Sequence, residues 1–227
     1  MSKSDLDRSL QKEDARLAEG ASQAPPRASR LLANAFNLPN QLTGLRLALA
    51  AVMFGLIAWD YYFISLILFL IAASTDWLDG YFARKYGQVT TLGRILDPFA
   101  DKVIICGTFI YLVAIPAMLQ IPGGLRPWMV VVIVGRELLV TALRSFLEER
   151  GSDFSAKFSG KLKMVLQCVA AGTALFWLWY GEMIGPSGTH PLWMQLLLVA
   201  SIWAAVLLTA YSGIIYVWVA FRLLRGR

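Results

Sequence analysis

The sequence has few charged residues and only two cysteines, the residue type that forms disulfides and binds metals through sulfur. Only 16% of its 227 residues are charged, against about 25% in ordinary soluble domains, and 57% are hydrophobic. A soluble fold of this composition would lack the polar residues to cover its surface, and a disordered chain would be far more polar. Its two cysteines, Cys106 and Cys168, lie in apolar segments, where we expect free thiols with no metal or redox role. The sequence therefore predicts an integral membrane protein.

Long segments without charge divide the chain into candidate membrane spans, each of which needs about 20 predominantly apolar residues. The last uncharged segment is too long for one helix, and the turn-forming residues 185–188 divide it. We predict an all-α transmembrane domain at 37–227, preceded by a cytoplasmic tail and interfacial segment at 1–36 that is partly disordered. Its six transmembrane helices are predicted at about 42–59, 63–84, 94–116, 126–149, 158–181 and 192–221.

The distribution of Lys and Arg predicts the orientation in the membrane. The N-terminal tail, the segments around 84–94 and 144–163 and the C-terminus carry the basic residues, whereas the other three loops contribute only Arg126. With six spans, the basic segments all fall on one side, and basic loops face the cytoplasm. Both termini are therefore predicted to be cytoplasmic. The net charge of +6 reflects this asymmetry and an attraction to anionic lipid, so it does not indicate nucleic-acid binding.

Four aspartates lie where charge is costly, inside the predicted spans. Asp76 and Asp79 end the second span, and Asp97 and Asp101 begin the third. Spacings of three and four residues put each pair on one helical face, and the short connection makes the two helices antiparallel neighbours. Four crowded carboxylates repel one another unless cations compensate, and hard oxygen ligands suit Mg²⁺ or Mn²⁺. The alternative is that these aspartates cap helices in interfacial water, or pair with nearby Arg and Lys side chains.

These aspartates belong to the pattern D-x-x-D-G-x-x-A-R, followed after eight residues by G-x-x-x-D-x-x-x-D. The pattern resembles the signature of the CDP-alcohol phosphotransferase family. The matching positions are Asp76, Asp79, Gly80, Ala83, Arg84, Gly93, Asp97 and Asp101. The resemblance extends from about residue 37 to the C-terminus.

Membership of this family would imply six transmembrane helices, commonly in a homodimer, with an active-site cavity open to the cytoplasmic side. Two divalent cations per site would bind the pyrophosphate of a CDP-linked donor. The resemblance implies that Asp76, Asp79 and Asp97 are metal ligands. It implies that Asp101 binds one metal as well and acts as the catalytic base. The CDP contact is assigned by the same resemblance to the first motif, namely Asp76, Asp79, Gly80, Ala83 and Arg84.

Members of the family differ in the alcohol that accepts the transferred group. Four segments resemble the bacterial cell-membrane members that use CDP-diacylglycerol and sn-glycerol 3-phosphate and release CMP. They comprise 37–43 with Arg46, 96–102, 135–137 with Thr141 and Arg144, and 160–163 with Gln167. Met164 stands where those members often have Thr.

Charge gives a separate indication of a phosphate-bearing acceptor. Arg136 and Arg144 lie roughly on one face of the fourth span, and Lys161 and Lys163 begin the fifth on the same side. Such an acceptor needs cations beyond the metals, whereas serine or choline does not. Arg136 lies deepest, and its neighbour Glu137 is about 100° away around the helix. Because the two side chains cannot easily share one face, we expect an incoming phosphate to be the partner of Arg136, and Glu137 is the alternative, structural partner.

Other functions remain open at this stage. The same family offers another phosphorylated acceptor, such as inositol phosphate. A divalent-cation channel or transporter with the aspartates as its filter is the alternative from a different class. Two features oppose transport, because the aspartates lie at helix ends and no internal repeat is visible. A purely structural membrane protein is a third possibility.

Overall fold

The structure is a computed structural model that describes residues 38–86, 91–149, 158–185 and 188–225. The predicted tail and interfacial segment at 1–36 lie outside these ranges. In the described ranges all regular structure is helical. The helices are α1 (Leu38–Ala58), α2 (Tyr62–Tyr86), α3 (Thr91–Ala114), α4 (Pro116–Gln120), α5 (Pro127–Glu149), α6 (Phe158–Ile184) and α7 (Leu192–Arg225).

The six long helices coincide with the six predicted spans to within a few residues at either end. The short helix α4 was not predicted, because a single turn leaves no periodic pattern in an apolar segment. It begins at Pro116, whose missing N–H would have no partner in a first turn. The predicted break in the last apolar segment is confirmed: α6 ends at Ile184, and Gly185 follows with φ of 69°, a conformation that favours glycine.

The long helices pack in a closed ring. Helix α1 contacts α2 and α3, α2 contacts α6, α6 contacts α7, α7 contacts α5, and α5 contacts α3. Helix α3 also contacts α6 across the ring and α2 beside it. The interior is filled by apolar side chains, among which Met53, Phe69, Phe109, Leu175 and Leu198 are almost completely buried. The ring therefore has its own packed core, around which polar groups are placed.

The outside of the ring is apolar as well. Two helices carry stretches long and apolar enough to cross a bilayer, Leu162–Ile184 and Leu192–Arg222. Along α7 the side chains of Leu196, Leu207 and Ile214 are 60–70% exposed. A continuous apolar face of this kind is unfavourable in water but matches lipid tails. The described fold is thus that of an all-α membrane protein.

Candidate active site

The two aspartate motifs lie on neighbouring helices. Residues 76–84 fall in the second half of α2 and residues 93–101 in the first half of α3, and the two helices contact each other. The helical backbone keeps the spacings of three and four residues on single faces, as predicted. The side chains of Asp76, Asp79 and Asp97 lie outside the described part of the structure, as do those of Gly80, Ala83 and Arg84 in the predicted CDP contact.

Asp101 is the one predicted metal ligand whose side chain is described, and it is half-buried. Among the described residues no group of three or more His, Cys, Asp or Glu side chains is close enough to hold a metal. Three of the four aspartates that would form such a group have side chains outside the described residues. Carboxylate oxygens are the ligands that Mg²⁺ and Mn²⁺ prefer, so the residue types fit the predicted metals.

A buried ion cluster joins α5 to α6 near the start of α6. Arg136 Nη1 donates to Glu137 Oε1 at 3.2 Å, and the Lys163 ammonium donates to the same carboxylate oxygen. All three residues are more than 90% buried. The expectation that Glu137 would not reach Arg136 is wrong. The two Cα positions differ by about 100° around the helix, but both side chains are long enough to converge on Lys163 of the neighbouring helix.

Helix α7 holds Arg136 from the other side. Arg136 Nη2 donates to Ser212 Oγ at 2.6 Å, and the guanidinium carbon lies 5.4 Å from the ring centroid of Tyr216. Gly213, between these two residues, leaves room for the arginine stem: a Cβ there would be 2.8 Å from Arg136 Cγ. The side chain of Arg136, although it starts well inside the apolar helix α5, is therefore held by Glu137 on one side and by Ser212 and Tyr216 of α7 on the other.

Further charges surround this cluster. Lys102 on α3 is within electrostatic range of Asp101, Arg136 and Arg144, and Lys163 is within range of Arg136, Lys102 and Asp101. Lys163 is thereby within range of Asp101 in the aspartate motif of α3, and Arg136 is within range of Lys102 beside it. The Nε atoms of Arg136 and Arg144 are buried and have no hydrogen-bond partner within the described residues. Four cations face two carboxylates, so the described part of the pocket carries excess positive charge and spare N–H donors.

The predicted acceptor residues are thus partly assembled. Arg136 and Lys163 meet directly, and Arg144 lies within electrostatic range of Arg136. The side chain of Lys161 is outside the described residues. Sequence reasoning did not assign Lys102, Ser212 and Tyr216 to this pocket. The proximity of Lys102 to Asp101 in the sequence was the available signal for the first, whereas nothing local distinguishes Ser212 or Tyr216 from other polar residues of α7.

Comparison with known proteins places this arrangement in a family. Residues 36–211 match the family model described as CDP-alcohol phosphatidyltransferase, which is more than half of the chain. Three similar proteins each carry the name CDP-diacylglycerol–glycerol-3-phosphate 3-phosphatidyltransferase. That of Bacillus subtilis is 34% identical over 198 residues, covering 78% of this chain and 92% of the relative. That of Haemophilus influenzae is 32% identical over 192 residues, covering 82% and 94%. That of Salmonella typhimurium is 35% identical over 191 residues, covering 80% and 93%.

The family match covers the helices that carry both aspartate motifs and the buried Arg136–Glu137–Lys163 cluster. The resemblance that rested on eight motif positions therefore extends over most of the sequence. The chain belongs to the CDP-alcohol phosphatidyltransferase family.

Proposed function

We propose that this protein transfers the phosphatidyl group of CDP-diacylglycerol to sn-glycerol 3-phosphate, giving phosphatidylglycerophosphate and CMP. Relatives named for this reaction are 32–35% identical to it. In this chain, the observation that carries the proposal is the buried pair of cations, Arg136 and Lys163, which share the carboxylate of Glu137 between α5 and α6. A neutral alcohol would not need these cations, whereas a phosphate-bearing acceptor would bind to them.

Two divalent cations, Mg²⁺ or Mn²⁺, belong to the proposal, with Asp76, Asp79, Asp97 and Asp101 as their ligands. When bound, they would neutralise the pyrophosphate of the donor and stabilise the charge that develops during transfer. Arg84, with Gly80 and Ala83 beside it, would contact the CDP half of the donor. Residues 76–84 occupy about 2.5 turns of α2 at 3.6 residues per turn. One helix end would therefore carry both the metal ligands and the contact to the nucleotide.

The acceptor supplies the nucleophile. The oxygen of one of its two free hydroxyls forms a bond to the phosphorus that carries the diacylglycerol, and the bond from that phosphorus to the oxygen of CMP breaks. The hydroxyl proton goes to the carboxylate of Asp101, which acts as the general base. Arg136 and Lys163, assisted by Arg144 and Lys161, would hold the acceptor's phosphate so that its hydroxyl points toward Asp101.

The arrangement of the helices in the membrane is also part of the proposal. Six helices would cross the bilayer, with both termini and the active-site cavity on the cytoplasmic side and two copies forming a homodimer. The asymmetry of Lys and Arg and the six long helices support this topology. Such a site suits a donor whose CMP half is soluble and whose acyl chains remain in lipid.

A panel of acceptors with purified protein tests the proposal. CDP-diacylglycerol is supplied with Mg²⁺ or Mn²⁺ and with glycerol 3-phosphate, inositol phosphate or serine, and CMP and the lipid product are measured. We expect CMP release that depends on glycerol 3-phosphate and a product lipid that carries two phosphates. Release with inositol phosphate alone would assign a different acceptor. No release with any alcohol, together with divalent-cation flux in proteoliposomes, would favour a transporter instead.

A further inference from the structure

Among the residues whose side chains are described, Glu137 is the carboxylate that joins Arg136 to Lys163, the two buried cations of the acceptor pocket. Its Oε1 accepts hydrogen bonds from Arg136 Nη1 and from the Lys163 ammonium. The side chain is 9% exposed, so the negative charge is largely withdrawn from water. A buried carboxylate is costly unless it is paired, and this one is paired twice. Neither the reaction nor the comparisons assign it a role.

The two cations depend on Glu137 to different extents. Arg136 is also held by Ser212 Oγ and by the ring of Tyr216. Lys163 has no hydrogen-bond partner other than Glu137 among the residues that the structure describes. Because a lysine stem is long and flexible, the position of its ammonium depends on the group that it binds. Glu137 is therefore what places the Lys163 ammonium beside Arg136.

The ion pairs leave donors available. An ammonium has three N–H donors and a guanidinium five, of which Glu137 and Ser212 engage only some. The Arg136 Nε–H is buried and has no partner among the described residues. An anion can therefore bind to both cations without displacing Glu137. The charges of the described residues permit this too, because Lys102, Arg136, Arg144 and Lys163 outnumber the carboxylates of Asp101 and Glu137.

We propose that Glu137 is a positioning residue for the acceptor, which fixes the Lys163 ammonium next to Arg136 so that both cations bind the phosphate of one acceptor molecule. The inference rests on the proposed function. Glu137 touches neither substrate nor metal in this account and acts through Lys163. Without its charge, Lys163 and Arg136 would repel each other across the pocket, and the lysine would turn away.

The test replaces Glu137 by Gln, which keeps the shape and removes the charge. We expect the KM for glycerol 3-phosphate to rise by roughly tenfold or more, the KM for CDP-diacylglycerol to stay unchanged, and kcat to change little. Glu137→Asp should recover part of the loss, because it restores the charge on a shorter stem. A matched control is Thr173→Val, which removes the hydrogen bond between the hydroxyls of Thr173 on α6 and Ser201 on α7, away from the pocket. It should leave both KM values unchanged.

A double-mutant comparison shows whether Glu137 acts through Lys163. In a Lys163→Gln background, Glu137→Gln should cause almost no further rise in the KM for glycerol 3-phosphate. The inference would be overturned if the two substitutions raised the KM for glycerol 3-phosphate independently, so that their fold-changes multiplied in the double variant. It would also be overturned if Glu137→Gln raised both KM values equally. If Glu137→Gln does not fold, Glu137→Asp is measured in its place. A rise in the KM for glycerol 3-phosphate alone supports the inference, and equal rises in both KM values contradict it. Failure of the proposed function is distinguishable, since it appears in the unmodified protein as the absence of glycerol 3-phosphate-dependent CMP release.

Discussion

The two ends of the helix ring use polar side chains in opposite ways. At the end formed by the start of α6 and the second half of α7, charged side chains pair with one another across helices, as in the Arg136–Glu137–Lys163 cluster. At the other end, side-chain donors bind backbone carbonyls. Arg126 Nη1 donates to the carbonyl of Leu119 at 2.7 Å, and Trp203 Nε1 donates to that of Gly123 at 2.9 Å.

This difference separates two tasks. Carbonyls at the ends of helices lack partners within the helix, and Arg126 and Trp203 satisfy them where the chain turns. At the same end, His190 Nε2 contacts the Trp177 carbonyl at 3.1 Å, and its ring stacks on the Trp177 ring. The cationic cluster satisfies no backbone group through its ion pairs and keeps excess positive charge. One end therefore closes the fold, whereas the other carries the excess positive charge to which the proposed acceptor phosphate would bind.

The largest effect that we expect is at the aspartate motifs. Asp97→Asn should reduce turnover by at least about 10²-fold without unfolding the protein, because a neutral amide is a poor metal ligand and cannot offset a dication. Turnover is measured across a Mg²⁺ titration, with folding followed by size-exclusion chromatography. Near-normal turnover at low Mg²⁺ would contradict the two-metal proposal.

Asp101→Asn separates the base from the ligands. We expect kcat to fall by about 10²–10⁴-fold, because the acceptor hydroxyl loses its proton acceptor. CDP-diacylglycerol should still bind in the presence of metal, since three carboxylates remain, and a direct binding titration measures this. If donor binding is lost as completely as in Asp97→Asn, then Asp101 is an ordinary ligand and the base lies elsewhere.

Gly213→Ala tests the clamp on Arg136 without touching a charge. The added Cβ would lie 2.8 Å from Arg136 Cγ, so the arginine must shift. We expect a several-fold rise in the KM for glycerol 3-phosphate and an unchanged KM for CDP-diacylglycerol. Gly172→Ala is the matched control, because the nearest atom to its Cβ would be Phe69 Cε1 at 4.0 Å. Equal behaviour of the two variants would show that the position of Arg136 does not matter.

The smallest effect is expected at the opposite end. Trp203→Phe keeps an aromatic ring but removes the hydrogen bond to the Gly123 carbonyl. Stability should fall by about 1 kcal/mol, as read from thermal unfolding in detergent, while both KM values stay unchanged. A change in either KM would mean that the two ends are coupled, which would contradict their separation of tasks.

Periodicity and charge were enough to predict the six long helices, because each apolar segment is bounded by charges or by turn residues such as Gly185. The family resemblance came from fixed spacing within α2 and α3, which is a local property. Contacts between distant segments were not predictable in this way. Ser212 is 76 residues from Arg136 in sequence. Its role depends on how α7 packs against α5, and no local pattern encodes that.

Glu137 shows the same limit at short range. Helical geometry correctly placed Glu137 about 100° from Arg136, but it led to the wrong conclusion that the two side chains would not meet. The deciding factor was Lys163 on a neighbouring helix, toward which both side chains extend. The number of Arg and Lys side chains on one side of the fourth and fifth spans indicated a phosphorylated acceptor. The structure adds the contacts that hold two of them, Arg136 and Lys163.

The central claim is that the charged end binds the phosphate of the acceptor, and the two KM values of Arg136→Ala test it most directly. We expect the KM for glycerol 3-phosphate to rise strongly and that for CDP-diacylglycerol to remain nearly unchanged. Arg136→Lys should recover only part, because the forked geometry of the guanidinium is lost. If both KM values rise together in folded Arg136→Ala protein, Arg136 is structural and the acceptor's phosphate binds elsewhere.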